Sequence, residues 1–332
     1  MNLNQISRIQ LVEGRTGLAK LQRVSDYLGI ELYIKRDDNT GFALGGNKAR
    51  KLEFIMGDVI KSGADTIITT GGKQSNLVRM AAAAAAKLGL KCILLLIGRS
   101  PKELQGNLLL DKIFGAEIRY IQFSSLSEYF SNIEDCLEEI AEEVRAKGGK
   151  PYIIPVGGAG PIGALGYLTA VGELKEQLEA ENLNIDTIVH ASGTGGTQSG
   201  ILTGLKYYGL GGRVLGIGVG KDKPVLEEHI FKICTQVAEM LGQELPVKKE
   251  DIHVYDEFLG EDYGLPTPEG MEAIYLLARS EGILLDPIYT GKTMAGLIEL
   301  TKRGEIKQGE RVLFWHTGGA PAVFAYNHAF VD

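Results

Sequence analysis

In the stretch Gly45-Gly46-Asn47-Lys48-Ala49-Arg50-Lys51, an amine stands where a glycine loop runs into a helix start. Upstream lie an apolar run, Leu32-Tyr33-Ile34, and an acidic–basic cluster, Lys35-Arg36-Asp37-Asp38. Downstream, Leu52, Ile55, Met56 and Val59 recur at helical spacing. Glycines let the backbone approach a ligand closely, and a helix start offers a positive dipole end. A lysine held there, its pKa lowered by burial and neighbouring cations, is a nucleophile toward a carbonyl and can form a Schiff base. The plainer reading makes Lys48, Arg50 and Lys51 the basic face of a solvated helix. The spacing is not that of a nucleotide loop, because no Gly-Lys-Ser/Thr follows four free positions.

Three further loops carry polar groups suited to a small ligand. Ser192-Gly193-Thr194-Gly195-Gly196-Thr197 follows the strand-like Thr187-Ile188-Val189 and opens a helix. Backbone N–H groups, the helix dipole and two threonine hydroxyls make an anion cradle there. Gln198 takes the place of the third glycine of the dinucleotide fingerprint, so a phosphate monoester suits this cradle better than a pyrophosphate. In Gly71-Gly72-Lys73-Gln74-Ser75-Asn76, Ser75 or Asn76 can cap the following helix, and the polar set can hold a carboxylate or a ring hydroxyl. The stretch Leu285 to Lys292 brings Tyr289, a packing or proton-transfer residue, at the end of an extended segment with Gly291 preceding a helix. In His316-Thr317-Gly318-Gly319, His316 reads as a core histidine and Thr317 as a neutral donor at a strand's carboxyl end.

These loops need elements to hold them. Strand-like segments (66–69, 92–97, 117–121, 152–154, 187–189, 214–219, 312–315) alternate with helical ones (77–88, 108–114, 126–147, 163–178, 197–207, 225–241, 271–280, 294–301). The segment Ile252 to Thr267 reads as irregular, rich in acidic and aromatic residues. Runs such as Cys92-Ile93-Leu94-Leu95-Leu96, apolar on both faces, belong to parallel strands covered by helices. The fold class is α/β, with two open doubly wound α/β domains and a cleft between them. Ligands in such folds sit at the carboxyl ends of strands.

Bulk properties narrow the function. A length of 332 residues is comfortable for two domains, and 44% hydrophobic with 23% charged residues is an ordinary soluble composition. The formal charge of −7, with no basic tract, argues against nucleic acid. Cys92, Cys136 and Cys234 have no metal-ligand spacing and read as buried thiols of a reducing compartment. Met1-Asn2-Leu3-Asn4-Gln5 has neither the basic start nor the apolar core of a signal peptide, and no run suits a membrane span. A cytoplasmic location is the expectation.

The motifs taken together resemble one family. They are Tyr33-Ile34-Lys35-Arg36-Asp37-Asp38, Gly45 to Phe54, Gln74-Ser75-Asn76, Gly106-Asn107-Leu108-Leu109 and Pro155-Val156-Gly157-Gly158, then Gly193 to Thr197, Asp286 to Lys292 and His316 to Gly319. In this order they resemble the D-cysteine desulfhydrase and 1-aminocyclopropane-1-carboxylate deaminase family over nearly the whole chain. That family uses pyridoxal 5'-phosphate on the fold type II, tryptophan synthase β-like scaffold. The resemblance implies a large cofactor-binding domain of residues 1–52 and 166–332, a small α/β domain of residues 53–165, and a homodimer. It implies that Lys48 forms the Schiff base, Asn76 touches the pyridine hydroxyl and Thr317 meets the pyridine nitrogen. Gly193, Thr194, Gly195, Gly196 and Thr197 would hold the phosphate. Ser75 would face the substrate carboxylate or a proton in transit, with Gln74, Asn76 and Lys73 near the substrate and Tyr263 and Tyr289 lining its side. A neutral partner at the ring nitrogen weakens the electron sink and favours elimination of a good β-leaving group.

Two departures bear on the substrate. The cyclopropane deaminases carry glutamate after the Asp-Pro-x-Tyr tyrosine, whereas Thr290 stands here, as in desulfhydrase-type members. Those members read Gln-Ser-Asn-His, but Leu77 replaces the histidine and Lys73 precedes Gln74. The expected activity is α,β-elimination of D-cysteine to hydrogen sulfide, ammonia and pyruvate. The alternatives are a lyase for another β-substituted alanine such as cysteate, the cyclopropane deaminase, or a catalytically silent cofactor or small-ligand binder.

Overall fold

The computed structural model describes residues 3–330. Met1 and Asn2 of the start segment, and residues 331–332, lie outside the described residues. Among the described residues, ten strands form two sheets: β1 (Leu18–Lys20), β2 (Glu31–Arg36), β3 (Thr66–Gly72), β4 (Lys91–Ile97), β5 (Glu117–Ile121), β6 (Pro151–Ile153), β7 (Thr187–Ser192), β8 (Arg213–Gly218), β9 (Ile252–Tyr255) and β10 (Arg311–His316). The larger sheet has the order β1-β2-β10-β7-β8-β9 and the smaller β5-β4-β3-β6. Every pairing is parallel except β1 against β2.

Parallel strands joined by helical crossovers are covered on both faces, and the side chains divide accordingly. Along β10, Val312 and Phe314 enter one core with Leu32 and Ile34 of β2. Leu313 and Trp315 enter the opposite core with Ile188 and Val214. In the smaller sheet, Leu94 and Leu96 pack on one side, and Ile93 and Leu95 on the other. The two-sided strands expected from these runs are therefore present, and the fold is the expected α/β.

Some local expectations are corrected. The edge strand β1 and the helix Gln22–Leu28 were not signalled, because Leu-Ala-Lys is too short to show a period and its geometry comes from pairing with β2. Ile252–Tyr255 within the irregular segment is an edge strand parallel to β8. Gly291 lies inside the helix Thr290–Lys302, not ahead of it. The Asp286 carboxylate accepts from the N–H groups of Ile288, Tyr289 and Thr290 at 2.9 Å and so starts the helix early. Cys136 is half-buried, while Cys92 and Cys234 are buried. Among the described residues, no helix is long and apolar enough to cross a membrane.

The solvated basic face is also overturned, since Arg50 and Lys51 are 3% and 1% exposed. The Arg50 guanidinium bonds Asp37 at 2.8 Å and Glu173 at 2.9 Å. Asp37 further accepts from Thr16, Tyr167 and Trp315. Burial alone would raise the Asp37 carboxyl, but the Arg50 charge outweighs it and holds the group at about 2. This satisfied ion cluster anchors the helix Lys48–Ser62 beneath the larger sheet.

Candidate active site

Lys48 is the first residue of the helix Lys48–Ser62. The backbone ahead of it runs left-handed through Ala43, Leu44, Gly45 and Gly46, at φ 46°, 64°, 72° and 126°. Gly45 has no substitute there, since a Cβ would stand 1.6 Å from the Asp38 carbonyl oxygen. Two bonds brace the loop. The Asn47 N–H donates to the Thr317 carbonyl at 2.9 Å, and the Asn47 amide donates to the Thr197 hydroxyl at 3.1 Å. Lys48 is thus tied to the loops after β10 and β7.

One cavity is lined by Lys48, Ser75, Asn76, Gly193, Thr194, Gly195, Thr197, Tyr263, Tyr289 and Thr317. Ser75 and Asn76 after β3, Gly193 after β7 and Thr317 after β10 reach it from the carboxyl ends of their strands. Gly196 opens the helix Gly196–Tyr208, and a Cβ on it would stand 3.0 Å from Lys51 Nζ. Ser75 caps the helix Asn76–Leu88, its hydroxyl accepting from the Val78 N–H at 3.4 Å. Asn76 Oδ1 accepts from the Asn107 amide at 2.9 Å. The Tyr263 and Tyr289 hydroxyls are 2.5 Å apart, and burial raises both phenols, so both stay protonated at neutral pH. Lys73 and Gln74 line a wider outer cavity of about 850 Å³ instead. Gln74 bonds the Gln105 carbonyl and the Asn107 N–H, which places it behind Asn76.

The electrostatics identify what the cavity can hold. Lys48 and Lys51 donate to the same Gly157 carbonyl, at 3.1 and 3.3 Å. Burial lowers the Lys48 amine to about 8. Burial, and then the Lys48 charge, take Lys51 well below its ordinary value. Of the described residues lining the cavity, none is Asp or Glu. Two lysine amines sharing one carbonyl beside a helix N-terminus, Lys51 buried and Lys48 half-buried, make a site for an anion, whose charge would favour their protonated forms. Lys51 was missed as a functional residue, although its spacing of three from Lys48 puts both on one helix face.

Comparison with known proteins decides the family. Residues 9–318 match the family described as pyridoxal-phosphate dependent enzyme. The chain belongs to the pyridoxal-phosphate-dependent enzymes. It is 42% identical over 330 residues (99% of this chain, 97% of the relative) to a Pyrococcus abyssi protein named "Putative 1-aminocyclopropane-1-carboxylate deaminase". A crystal structure of an ACC deaminase homologue superposes with TM-score 0.90 at 42% identity, covering 98% of this chain and 96% of that one. O-ureido-L-serine synthase, at 18% identity and TM-score 0.65, covers 99% and 95% and shares the fold. The enzyme is a fold type II lyase of the D-cysteine desulfhydrase and 1-aminocyclopropane-1-carboxylate deaminase family, and its cofactor is pyridoxal 5'-phosphate. The residues present fit that cofactor. An amine lowered to about 8 suits a carbonyl, and the Lys51 amine, which a neighbouring anion would favour in its protonated form, and the glycine loop suit a phosphate.

Proposed function

We propose that this lyase removes the β-substituent of a small amino acid, D-cysteine first among them, giving hydrogen sulfide, ammonia and pyruvate. The observation that carries the reading is the absence of a carboxylate from the cavity lining, among the described residues. Thr290, after the cavity tyrosine, turns its hydroxyl away to the Asp286 carboxylate at 2.7 Å. Ring opening of a cyclopropane is thereby deprived of the acid that the family resemblance assigns to it.

When bound, the cofactor would supply an electron sink for the pair left at Cα. This chain's residues do the rest. Lys48 would hold the cofactor at its carbonyl carbon, and its amine would take the Cα proton of the substrate. Lys51 and the loop Gly193 to Thr197 hold the phosphate. Thr317 serves the ring nitrogen as a neutral partner, and Asn76 the ring hydroxyl. Ser75 holds the substrate carboxylate, and the Tyr263–Tyr289 hydroxyl pair relays protons on the substrate side. Lys73 and Gln74 belong to the substrate path, Gln74 acting through Asn107 on Asn76. The division into residues 1–52 with 166–332 and residues 53–165, a homodimer and a cytoplasmic location accompany this reading.

Pyruvate release measured over D- and L-cysteine, cysteate and 3-chloroalanine tests it, with D-cysteine expected fastest. Lys48→Ala should lose both turnover and the absorbance of lysine-bound cofactor; survival of that band removes Lys48 from its role. The names of the 42% identical relatives favour a second reading, deamination of 1-aminocyclopropane-1-carboxylate, which 2-oxobutyrate formation would reveal.

A further inference from the structure

Two buried hydroxyls line the cavity without a hydrogen-bond partner among the described residues, Ser192 Oγ and Tyr129 OH. Ser192 ends β7 beside the glycine loop and belongs to the anion cradle. Tyr129 lies elsewhere. It stands on the first turn of the helix Leu126–Ala146 and is 3% exposed. Its ring packs against Phe123 and Phe130 at centroid distances of 5.6 and 4.9 Å, which fixes the direction of its hydroxyl. The Thr70 hydroxyl lies beside it, but donates to the Leu95 carbonyl at 2.7 Å and makes no well-formed bond with it. Burial pushes the phenol up to about 12, so it is a neutral donor throughout the working range. Buried polar groups are rarely left unbonded, and a rigid one facing a cavity is placed for a ligand atom.

The position of Tyr129 selects that atom. Tyr129, Tyr263, Gly72 and Ile97 line both the inner and the outer cavity and so form the neck between them. Lys48 and the anion loop line only the inner one. On the elimination reading, a substrate held at its Cα beside Lys48 would extend its side chain toward the neck.

We infer that Tyr129 determines specificity, its hydroxyl donating a hydrogen bond to the heteroatom on the substrate's Cβ as that atom departs through the neck. The inference rests on the elimination reading above. In that step the Cα proton passes to the Lys48 amine and the Cα–H electron pair becomes the Cα–Cβ double bond. The bond from Cβ to the heteroatom breaks, and its pair leaves on the heteroatom, where the Tyr129 hydrogen bond steadies the negative charge. A cyclopropane ring offers no acceptor there.

Tyr129→Phe in the holoenzyme tests the assignment through binding and turnover. Binding of both enantiomers of alanine and serine is read from the change in cofactor absorbance. The variant should keep the cofactor band and bind alanine within about two-fold of wild type. Serine binding should weaken about three- to ten-fold, the worth of a neutral hydrogen bond, and kcat/KM on cysteine should fall about ten-fold or more. Equal losses on alanine and serine would mean a purely structural tyrosine, and no loss on either would also overturn the inference. Should the wild type eliminate from no β-substituted alanine, the elimination reading fails, while the serine-over-alanine comparison still decides the role of Tyr129.

Discussion

At the scale of single residues, Lys48 sets the terms. Its amine is lowered from 10.5 to about 8 by burial, so the neutral, nucleophilic form grows as pH rises through about 8. Capture of cofactor by the apoprotein should therefore accelerate up to that pH and level off above it. Stopped-flow absorbance would check this, and a midpoint near 10.5 would mean an unburied amine. That Lys48, Asn76, Thr197 and Thr317 line one cavity was readable from their type and spacing, because glycine loops at helix starts leave a trace in the chain. Tyr129 left none. It sits at the start of a long amphipathic helix where an aromatic reads as core, and the packing of that helix on β3 and β6 carries it to the cavity. Gln74 was readable as polar but not by direction, since its amide turns to Asn107 and Gln105.

Among elements, the loop before the helix Lys48–Ser62 is the most demanding. Gly45 has φ 72° and no room for a methyl group, and Gly46 approaches the Thr317 carbonyl, which a Cβ would meet at 3.3 Å. Gly45→Ala should cost at least about 2 kcal/mol of stability, through left-handed strain and the clash with Asp38. It should also reduce cofactor retention, because Lys48 would move with its loop. Thermal unfolding followed beside cofactor absorbance would check both, and an alanine variant of wild-type stability would contradict the geometry. Helices and buried strands were legible here from periodicity and two-sided apolar runs. The strand β1 and the early start of the helix Thr290–Lys302 were not, since one depends on a partner strand and the other on a carboxylate four residues upstream.

Over the whole molecule, the cavity proposed to hold the cofactor draws on both sheets, with Asn76 and Ser75 following β3 of the smaller one and the anion loop and Thr317 following β7 and β10 of the larger. A ligand bound only by the folded chain stabilises it by mass action, by about 2.7 kcal/mol at a hundred-fold excess over its dissociation constant. Stripping the cofactor should accordingly lower the unfolding temperature, and restoring it should return the holo value; identical temperatures would mean that the folded form does not bind it preferentially. The strand order carries a consequence for biosynthesis. Between β2 and β7 lies β10, the last strand among the described residues, whose following residue Thr317 props the loop of Lys48. A nascent chain still lacking β10 has a gap in the middle of its larger sheet and an unsupported amine. Acquisition of the cofactor is thus deferred until β10 and Thr317 have been made.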